Sequence, residues 1–245
     1  MASKPRSART LSTLLFGLSL VLPSNLSVRP SEKKEAKKLE QTVAEYCFSV
    51  SSDQGISMEK VTTFPRSFLG YNPAVLAVIN GIYFGPPVPD SFQYEPIGIA
   101  YIDGKSNLAK SGAIRGYFTI SKDGSEVLVS ENMSQPFSDY HMVIGTHPLL
   151  VVDSQIPPQA FEERYNRTGK TNRSAIGTKD GRNVCFAVSE KQLTMQEWAE
   201  QLQYEGYKGA LNLDGGSPSE LAVRGKPSPR SAFEPTRLVI YSFLK

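Results

Sequence analysis

The pattern of apolar and polar positions along the chain predicts several strands. Tyr46, Phe48 and Val50 alternate with other residues, which is typical of a first strand with one buried face. Residues 75–79 (VLAVI) form a continuous apolar run, as in a strand buried on both faces, and this run places Asn80 at its end. Further strands are predicted from apolar runs at residues 97–101, 143–152 and 237–243.

Two stretches share the pattern of a β-hairpin. Residues 116–129 and 174–188 each carry Asp-Gly between two strand-like segments, and glycine tolerates the positive φ that a tight turn requires. Two copies are too few for a repeat protein, so we interpret them as two hairpins of one fold.

The clearest helix is predicted at residues 195–205. Thr194 and Glu197 form a capping-box pattern at its start. One apolar stripe of this helix carries four side chains: Met195, Trp198, Ala199 and Leu202. The stripe predicts that Trp198 lies in the core, and Gly206 is expected to end the helix before the next strand.

Residues 210–219 (ALNLDGGSPS) place an acidic residue at the end of a short apolar strand. Because side chains alternate along a strand, Leu211 and Leu213 would face one side while Asn212 and Asp214 face the other. The two glycines that follow allow positive φ and a close approach of another group to the backbone. This stretch predicts a ligand site around Asp214.

The N-terminal 27 residues have the form of a secretion signal. Three basic residues precede an apolar run at 11–22 that is too short to span a bilayer: Lys4, Arg6 and Arg9. No clear small-residue cleavage pattern follows, so an uncleaved N-terminal anchor is the alternative. Residues 28–42 are polar and predict a linker, which leaves residues 43–245 as one domain. We expect a secreted, periplasmic or cell-envelope protein.

Composition adds limits on the partners. The chain has 245 residues, 40% of them hydrophobic and 21% charged, which fits one globular domain. The net charge of +3 matches the three basic residues of the N-terminal segment, so the remainder is near neutral. We therefore expect no nucleic-acid partner, and membrane contact only through an uncleaved N-terminal segment.

Cys47 and Cys185 allow two interpretations. They could pair in an oxidising compartment, but two cysteines so far apart in sequence also fit two buried, unpaired thiols, and this second interpretation is favoured.

Standard catalytic motifs are absent. The sequence contains no P-loop, no G-x-G-x-x-G, no H-E-x-x-H and no C-x-x-C, and residues 215–219 (GGSPS) lack the glycine that follows serine in a nucleophile elbow. His141 and His147 have no partner at ligand spacing, so a structural role is favoured for each, although His147 lies where a loop could reach a cleft. We predict no metal site and no cofactor.

Arg173 begins a strand-like segment of small residues (RSAIG). A guanidinium at such a position could make a two-point contact with a phosphate or carboxylate. Taken alone, however, the residue fits an ordinary surface arginine at a strand end.

Five segments, in order, resemble the phosphodiester glycosidase family over roughly residues 43–245. They are 80–84 (NGIYF), 96–104 with its PIG and Asp-Gly, 145–150 (GTHPLL), 173–177 (RSAIG) and 212–216 (NLDGG). The resemblance implies an α+β fold, with a strongly twisted mixed or antiparallel sheet, packed helices and the motif residues in one cleft. Ile82 stands where the family often has a second glycine and could narrow the pocket.

The resemblance also implies an activity and a set of site residues. The activity is hydrolysis of the glycosidic bond of a sugar-1-phosphodiester, which releases free sugar and a phosphate monoester. The implied catalytic residues are Asp214, Arg173 and Asn80, and the implied substrate-binding residues are Tyr83, Asn212, Gly215, Gly216 and Ser219. The implied partner is a phosphorylated glycan or another sugar-1-phosphodiester.

Several chemical questions stay open at the level of sequence. Asp214 could act as nucleophile, as general base, or as stabiliser of an oxocarbenium-like centre. Glu220 and Glu95 are candidates for a second carboxylate, although each fits an exposed charge better. The alternative function is a non-catalytic envelope protein that binds anionic or phosphorylated glycans in the same cleft. A cell-wall hydrolase or amidase would require a nucleophile with its base, or a metal set, that the sequence lacks.

Overall fold

Strands dominate the computed structural model, which describes residues 43–85, 96–106, 114–158, 169–229 and 231–245. The predicted N-terminal signal or anchor, the linker and Glu95 lie outside these residues. The elements in chain order are β1 (Val43–Ser49), β2 (Gln54–Thr63), α1 (Pro65–Tyr71), β3 (Val75–Asn80), β4 (Ile99–Ile102), β5 (Lys105–Ser106), β6 (Gly116–Ser121), β7 (Val127–Ser130), a 3₁₀ turn (Phe137–Asp139), β8 (Tyr140–Thr146), β9 (Leu149–Val151), β10 (Ser174–Thr178), β11 (Asn183–Ser189), α2 (Met195–Tyr204), β12 (Gly209–Asn212), β13 (Leu221–Val223) and β14 (Thr236–Leu244).

These strands form three sheets in the described part of the chain. The first sheet has the order β1-β11-β10-β12-β9, the second β13-β3-β14-β2, and the third β5-β4-β8-β6-β7. All the strand pairs are antiparallel. Sequence-distant strands lie side by side in each sheet, so local pattern alone does not determine the order of the strands.

One hydrophobic core connects the three sheets. Phe186 and Leu211 of the first sheet, Ile79 of the second, and Phe118 and Ile144 of the third belong to the same buried cluster. Antiparallel sheets commonly pack one face on a core in this way. The three sheets therefore pack as one unit around this core.

The fold is mainly β, so the expectation of an α+β fold with packed helices overstates the helical content. The described residues contain two α-helices, of seven and ten residues. The longer one, α2, covers the outer side of the first sheet, where Trp198 and Leu202 are buried against Leu150 and Ala187. The shorter one, α1, packs on the second sheet through Phe68.

Most of the predicted elements are confirmed. The helix begins with both hydrogen bonds of the capping box, between Thr194 and Glu197, and Gly206 follows it with φ +85°. Trp198 is fully buried, as predicted. Both Asp-Gly hairpins are present, as β6–β7 and β10–β11, with Gly124 and Gly181 at positive φ.

The interpretation of the cysteines as two unpaired thiols is wrong, because Cys47 and Cys185 form a disulfide. The two residues are directly opposite each other in the β1–β11 pair, with Cα atoms 4.1 Å apart. Because 138 residues separate them in sequence, only the pairing of β1 with β11 shows that they are in contact.

Candidate active site

The predicted site forms where the first and second sheets meet. The Asp214 N–H donates to the carbonyl of Gly81 at 2.9 Å, and the Gly81 N–H donates to the carbonyl of Leu238 at 2.7 Å. Leu213 in turn donates to the carbonyl of Ser174 at 2.9 Å. The segments after β3 and β12 are thus joined to the start of β10 and to β14 by backbone hydrogen bonds.

The backbone of Asp214 is held on its carbonyl side as well. Its carbonyl oxygen accepts hydrogen bonds from Asn80 Nδ2 at 2.7 Å and from Ser174 Oγ at 2.6 Å, with a longer contact to Ser219 Oγ at 3.4 Å. All three donors are fully buried. Because buried polar groups are costly to leave unpaired, this arrangement fixes the point from which the Asp214 side chain emerges.

Asn80 uses its carboxamide to connect two segments of the chain. Besides the bond to Asp214, its Oδ1 accepts the backbone N–H of Glu220 at 3.2 Å. The side chain is fully buried. The structure therefore places Asn80 beside Asp214 as a positioning residue, and its nomination as a catalytic residue stays a prediction.

The carboxyl group of Asp214 lies in an environment that favours its neutral form. The residue is 9% exposed, and burial is the main cause that raises its pKa to about 8. The charge of Glu234 acts in the same direction, while a hydrogen bond from the Gly215 N–H acts in the opposite direction. Asp214 is therefore protonated at neutral pH in the free protein.

Arg173 is buried beside this carboxyl segment, so the interpretation of an ordinary surface arginine is wrong. It is 4% exposed, its Nε donates to the carbonyl of Leu193 at 3.0 Å, and its Nη2 donates to that of Gly169 at 2.9 Å. A Cβ built on Gly215 would lie 3.7 Å from Nη1. The guanidinium thus lies next to the glycine pair that follows Asp214.

Tyr83 and Asn212 form a second polar pair in the site. Asn212 Nδ2 donates to the Tyr83 hydroxyl, and the buried Asn212 Oδ1 has no hydrogen-bond partner among the described residues. Burial raises the pKa of Tyr83 above its ordinary value; the charge of Asp214 raises it further, while Arg173 and the Asn212 bond lower it. These effects indicate that four predicted site residues lie close together: Tyr83, Asn212, Arg173 and Asp214.

His147 also lies in this neighbourhood, where the sequence favoured a purely structural role. Its ring stacks on that of Tyr83, with centroids 4.9 Å apart and planes tilted by 15°. The residue follows β8 directly. Its position before Pro148 was the only sequence signal that a loop could bring it to the site.

The glycine pair and its flanks are shaped by close contacts. Gly216 has φ +82°, and its N–H donates to the carbonyl of Asn172 at 2.8 Å. Ser219 is fully buried and contacts the same carbonyl at 3.4 Å.

Ile82 belongs to the common core cluster. Its side chain therefore fills the core, which differs from the expectation that it could narrow the pocket.

The two glutamates considered from the sequence do not give a second acid within the described residues. Glu220 is fully buried, and its Oε1 lies 3.1 Å from Arg66 Nη1, so the expectation of an exposed charge is wrong for it. Glu95 lies outside the described residues. The carboxylate whose charge acts on Asp214 is instead Glu234, a residue that no sequence pattern singled out.

Neither a metal site nor a separate cavity changes this assignment. In the described ranges, no group of three or more His, Cys, Asp or Glu side chains converges as it would around a metal ion. A cavity of about 290 Å³ is lined by Val75 at the start of β3, with Ser57, Asn72, Pro73, Ala74, Tyr241 and Phe243. Asn80 lies at the other end of that strand, so the cavity is separate from the polar cluster.

Comparison with known families agrees with this clustering. The family model for phosphodiester glycosidases matches residues 72–241, which include every predicted site residue. The chain belongs to the phosphodiester glycosidase family. The curated protein sequences contain no significant match to this member of the family.

Solved structures of other proteins share the fold. The catalytic domain of the zebrafish N-acetylglucosamine-1-phosphodiester alpha-N-acetylglucosaminidase, auto-inhibited by its pro-peptide, is 16% identical, with a TM-score of 0.58 and 85% of each chain covered. A hypothetical Synechocystis protein is 16% identical, with a TM-score of 0.55 over 83% of this chain and 59% of that one. A Burkholderia pseudomallei protein described as exported is 11% identical, with a TM-score of 0.52 over 82% and 73%.

Proposed function

We propose that the protein hydrolyses the glycosidic bond of a sugar-1-phosphodiester and releases free sugar and a phosphate monoester. One observation carries this proposal: Arg173 is buried, donates to two carbonyl oxygens, and has no carboxylate partner among the described residues. A buried charge without a counter-charge is costly, so this guanidinium is suited to an anionic group of a ligand. Family membership supports a phosphodiester as that anion.

Asp214 serves as the general acid in this proposal. With a pKa of about 8 it holds a proton at neutral pH, and it can give that proton to the oxygen that bridges C1 of the sugar and the phosphorus. Because a phosphate is a better leaving group than a sugar alkoxide, only partial proton transfer is needed. Arg173 stabilises the charge that the departing phosphate gains, and a preorganised donor of this kind typically contributes a factor of about a hundred or more.

Tyr83 and Asn212 are suited to the sugar. The Oδ1 of Asn212 can accept a hydrogen bond from a sugar hydroxyl. This bond would satisfy a buried acceptor that has no hydrogen-bond partner among the described residues. The stacked rings of Tyr83 and His147 offer an aromatic edge beside it. The Gly216 N–H is already bonded to Asn172, so we assign no phosphate contact to it.

The test of this function is a panel of sugar-1-phosphodiesters with aryl or uridine groups, assayed for free sugar with the full-length protein. We expect turnover by the wild type, and in Arg173→Ala a fall in kcat/KM of about a hundredfold or more through both kcat and KM, because the phosphate contact strengthens in the transition state. Arg182→Ala is the matched control, since Arg182 is an exposed arginine of the β10–β11 turn. An unchanged kcat/KM in Arg173→Ala would remove it from this role.

The alternative is a non-catalytic protein that binds phosphorylated glycans in the same cleft. Tight binding of a sugar-1-phosphodiester with no release of sugar across the whole panel is the result that this alternative predicts. The neutral, nearly buried Asp214 favours the hydrolase, because a pure binding site for an anion has no need of a proton donor with a shifted pKa.

We propose a secreted, periplasmic or cell-envelope location. The Cys47–Cys185 disulfide supports this, because such bonds persist in oxidising compartments. The similarity in fold to a Burkholderia protein described as exported is in agreement. No helix in the described residues is long and apolar enough to cross a membrane.

A further inference from the structure

The segment before β14 carries an acidic residue that the mechanism above does not use. Glu234 is exposed, and it lies between two points at which the chain is tied to the Asp214 segment. On one side, the N–H of Phe233 donates to the carbonyl of Ser217 at 2.9 Å. Ser217 follows directly after the glycine pair.

The second point of attachment is Leu238, five residues after Phe233. The carbonyl of Leu238 accepts the N–H of Gly81, whose own carbonyl accepts the N–H of Asp214. Leu238 is 1% exposed, so this connection is part of the core. These bonds hold the segment that carries Glu234 beside the Asp214 segment, and the charge of Glu234 acts on the Asp214 carboxyl group.

The two carboxyl groups differ in environment in the way that paired catalytic acids do. Asp214 is nearly buried and holds its proton at neutral pH, whereas Glu234 is exposed. The charge of Glu234 raises the pKa of Asp214, which agrees with the hydrogen bond between Phe233 and Ser217 that joins their two segments. Glu220, the other acidic residue nearby in sequence, is committed to Arg66 in the interior.

We propose that Glu234 is the second catalytic carboxylate and takes a proton from the water that attacks C1 of the sugar. This inference rests on the proposed function. In the step, the water oxygen bonds to C1 as the bond between C1 and the bridging oxygen breaks. Glu234 accepts one proton of the water, and Asp214 gives its proton to the leaving phosphate. The products are free sugar and a phosphate monoester, and both protons are accounted for.

The first test compares Glu234→Gln with Glu126→Gln on a sugar-1-phosphodiester that the wild type hydrolyses. Glu126 is an exposed glutamate between β6 and β7, which gives a matched control. Loss of a general base typically lowers kcat by about 10² to 10⁴, so we expect that loss in Glu234→Gln, with little change in KM, and none in Glu126→Gln. Circular dichroism checks that each variant is folded.

A second readout separates catalysis from structural support. In Glu234→Ala, azide can take the place of water at C1, because it needs no base, and we expect azide to restore turnover with a glycosyl azide as product. The alkaline limb of the pH profile should also move to lower pH in Glu234→Gln. The variant lacks the negative charge that raises the pKa of Asp214, so Asp214 loses its proton at lower pH, while Tyr83 and Arg173 are unchanged.

The outcomes are distinguishable. If the wild type hydrolyses the substrate and Glu234→Gln retains its kcat, Glu234 is not the base and the proposed function stands. A large loss in kcat without azide rescue also overturns the assignment, since it indicates structural support alone. If the wild type turns over no member of the panel, the proposed function fails and this inference fails with it.

Discussion

At the scale of single residues, the protonation of Asp214 decides the chemistry. Its pKa is about 8, against 3.8 for an ordinary aspartic acid, with burial as the main cause. A carboxyl group that is neutral at pH 7 is a proton donor, which argues against its use as nucleophile or base in the free protein. Of the roles left open by the sequence, none was that of an acid, because burial cannot be read from one position in a chain.

The same shift predicts how Asp214→Asn changes stability with pH. Between about pH 4 and pH 8 the folded protein holds a proton on Asp214 that the unfolded chain has lost, so wild-type stability falls as pH rises through this range. Asparagine does not titrate, so the variant should gain stability relative to the wild type from pH 5 to pH 9. Four pKa units correspond to an upper limit on the order of 5 kcal/mol.

Urea unfolding of both proteins at pH 5, 7 and 9 measures this difference, and the other titrating groups cancel in the comparison. A difference in unfolding free energy that is constant over the range would mean that Asp214 has an ordinary pKa and cannot be the acid. In activity assays the release of sugar by the variant should fall by a factor of about 10² to 10⁴, because asparagine cannot donate the proton.

At the scale of elements, local signals were sufficient where they were strong. The apolar run of β3 predicted that Asn80 ends a buried strand, and the capping box predicted the start of α2; both are confirmed. β2 and α1 were missed. β2 buries few of its side chains, and α1 has only seven residues, too few to show a helical period.

The candidate site was predictable only in part, because local signals exist for some of its residues and not for others. Asp214 and its glycines form a recognisable local pattern, and family resemblance added Arg173 and Tyr83. Glu234 reaches the Asp214 segment through backbone hydrogen bonds of Phe233 and Leu238, which depend on strand pairing across the chain. No feature of sequence near Glu234 records those bonds, so a structure was needed to select it.

At the scale of the whole molecule, the disulfide joins the first strand of the described domain to β11. Cys47 lies in β1 and Cys185 in β11, so the bond closes a loop of 138 residues. Closing a loop of this length restricts the unfolded chain, and removing a native disulfide typically costs about 2–5 kcal/mol. We expect that loss in the Cys47→Ala and Cys185→Ala double variant.

Unfolding in urea with and without dithiothreitol tests this expectation. The wild type should lose stability when reduced, and the double variant should be insensitive to the reductant. Equal stability of the wild type under both conditions would show that the bond contributes little. Because the site lies at the junction of the first and second sheets, the double variant should keep the substrate specificity of the wild type at temperatures where it is folded.

The central claim is that the bond between C1 of the sugar and oxygen is broken, as in a glycosidase, and not the bond between phosphorus and oxygen. Hydrolysis of a sugar-1-phosphodiester in water enriched in ¹⁸O, followed by mass spectrometry of both products at early times, measures this directly. We predict that the label enters the free sugar and is absent from the phosphate monoester. Label in the phosphate product would contradict the account, because it would mean that water attacks phosphorus.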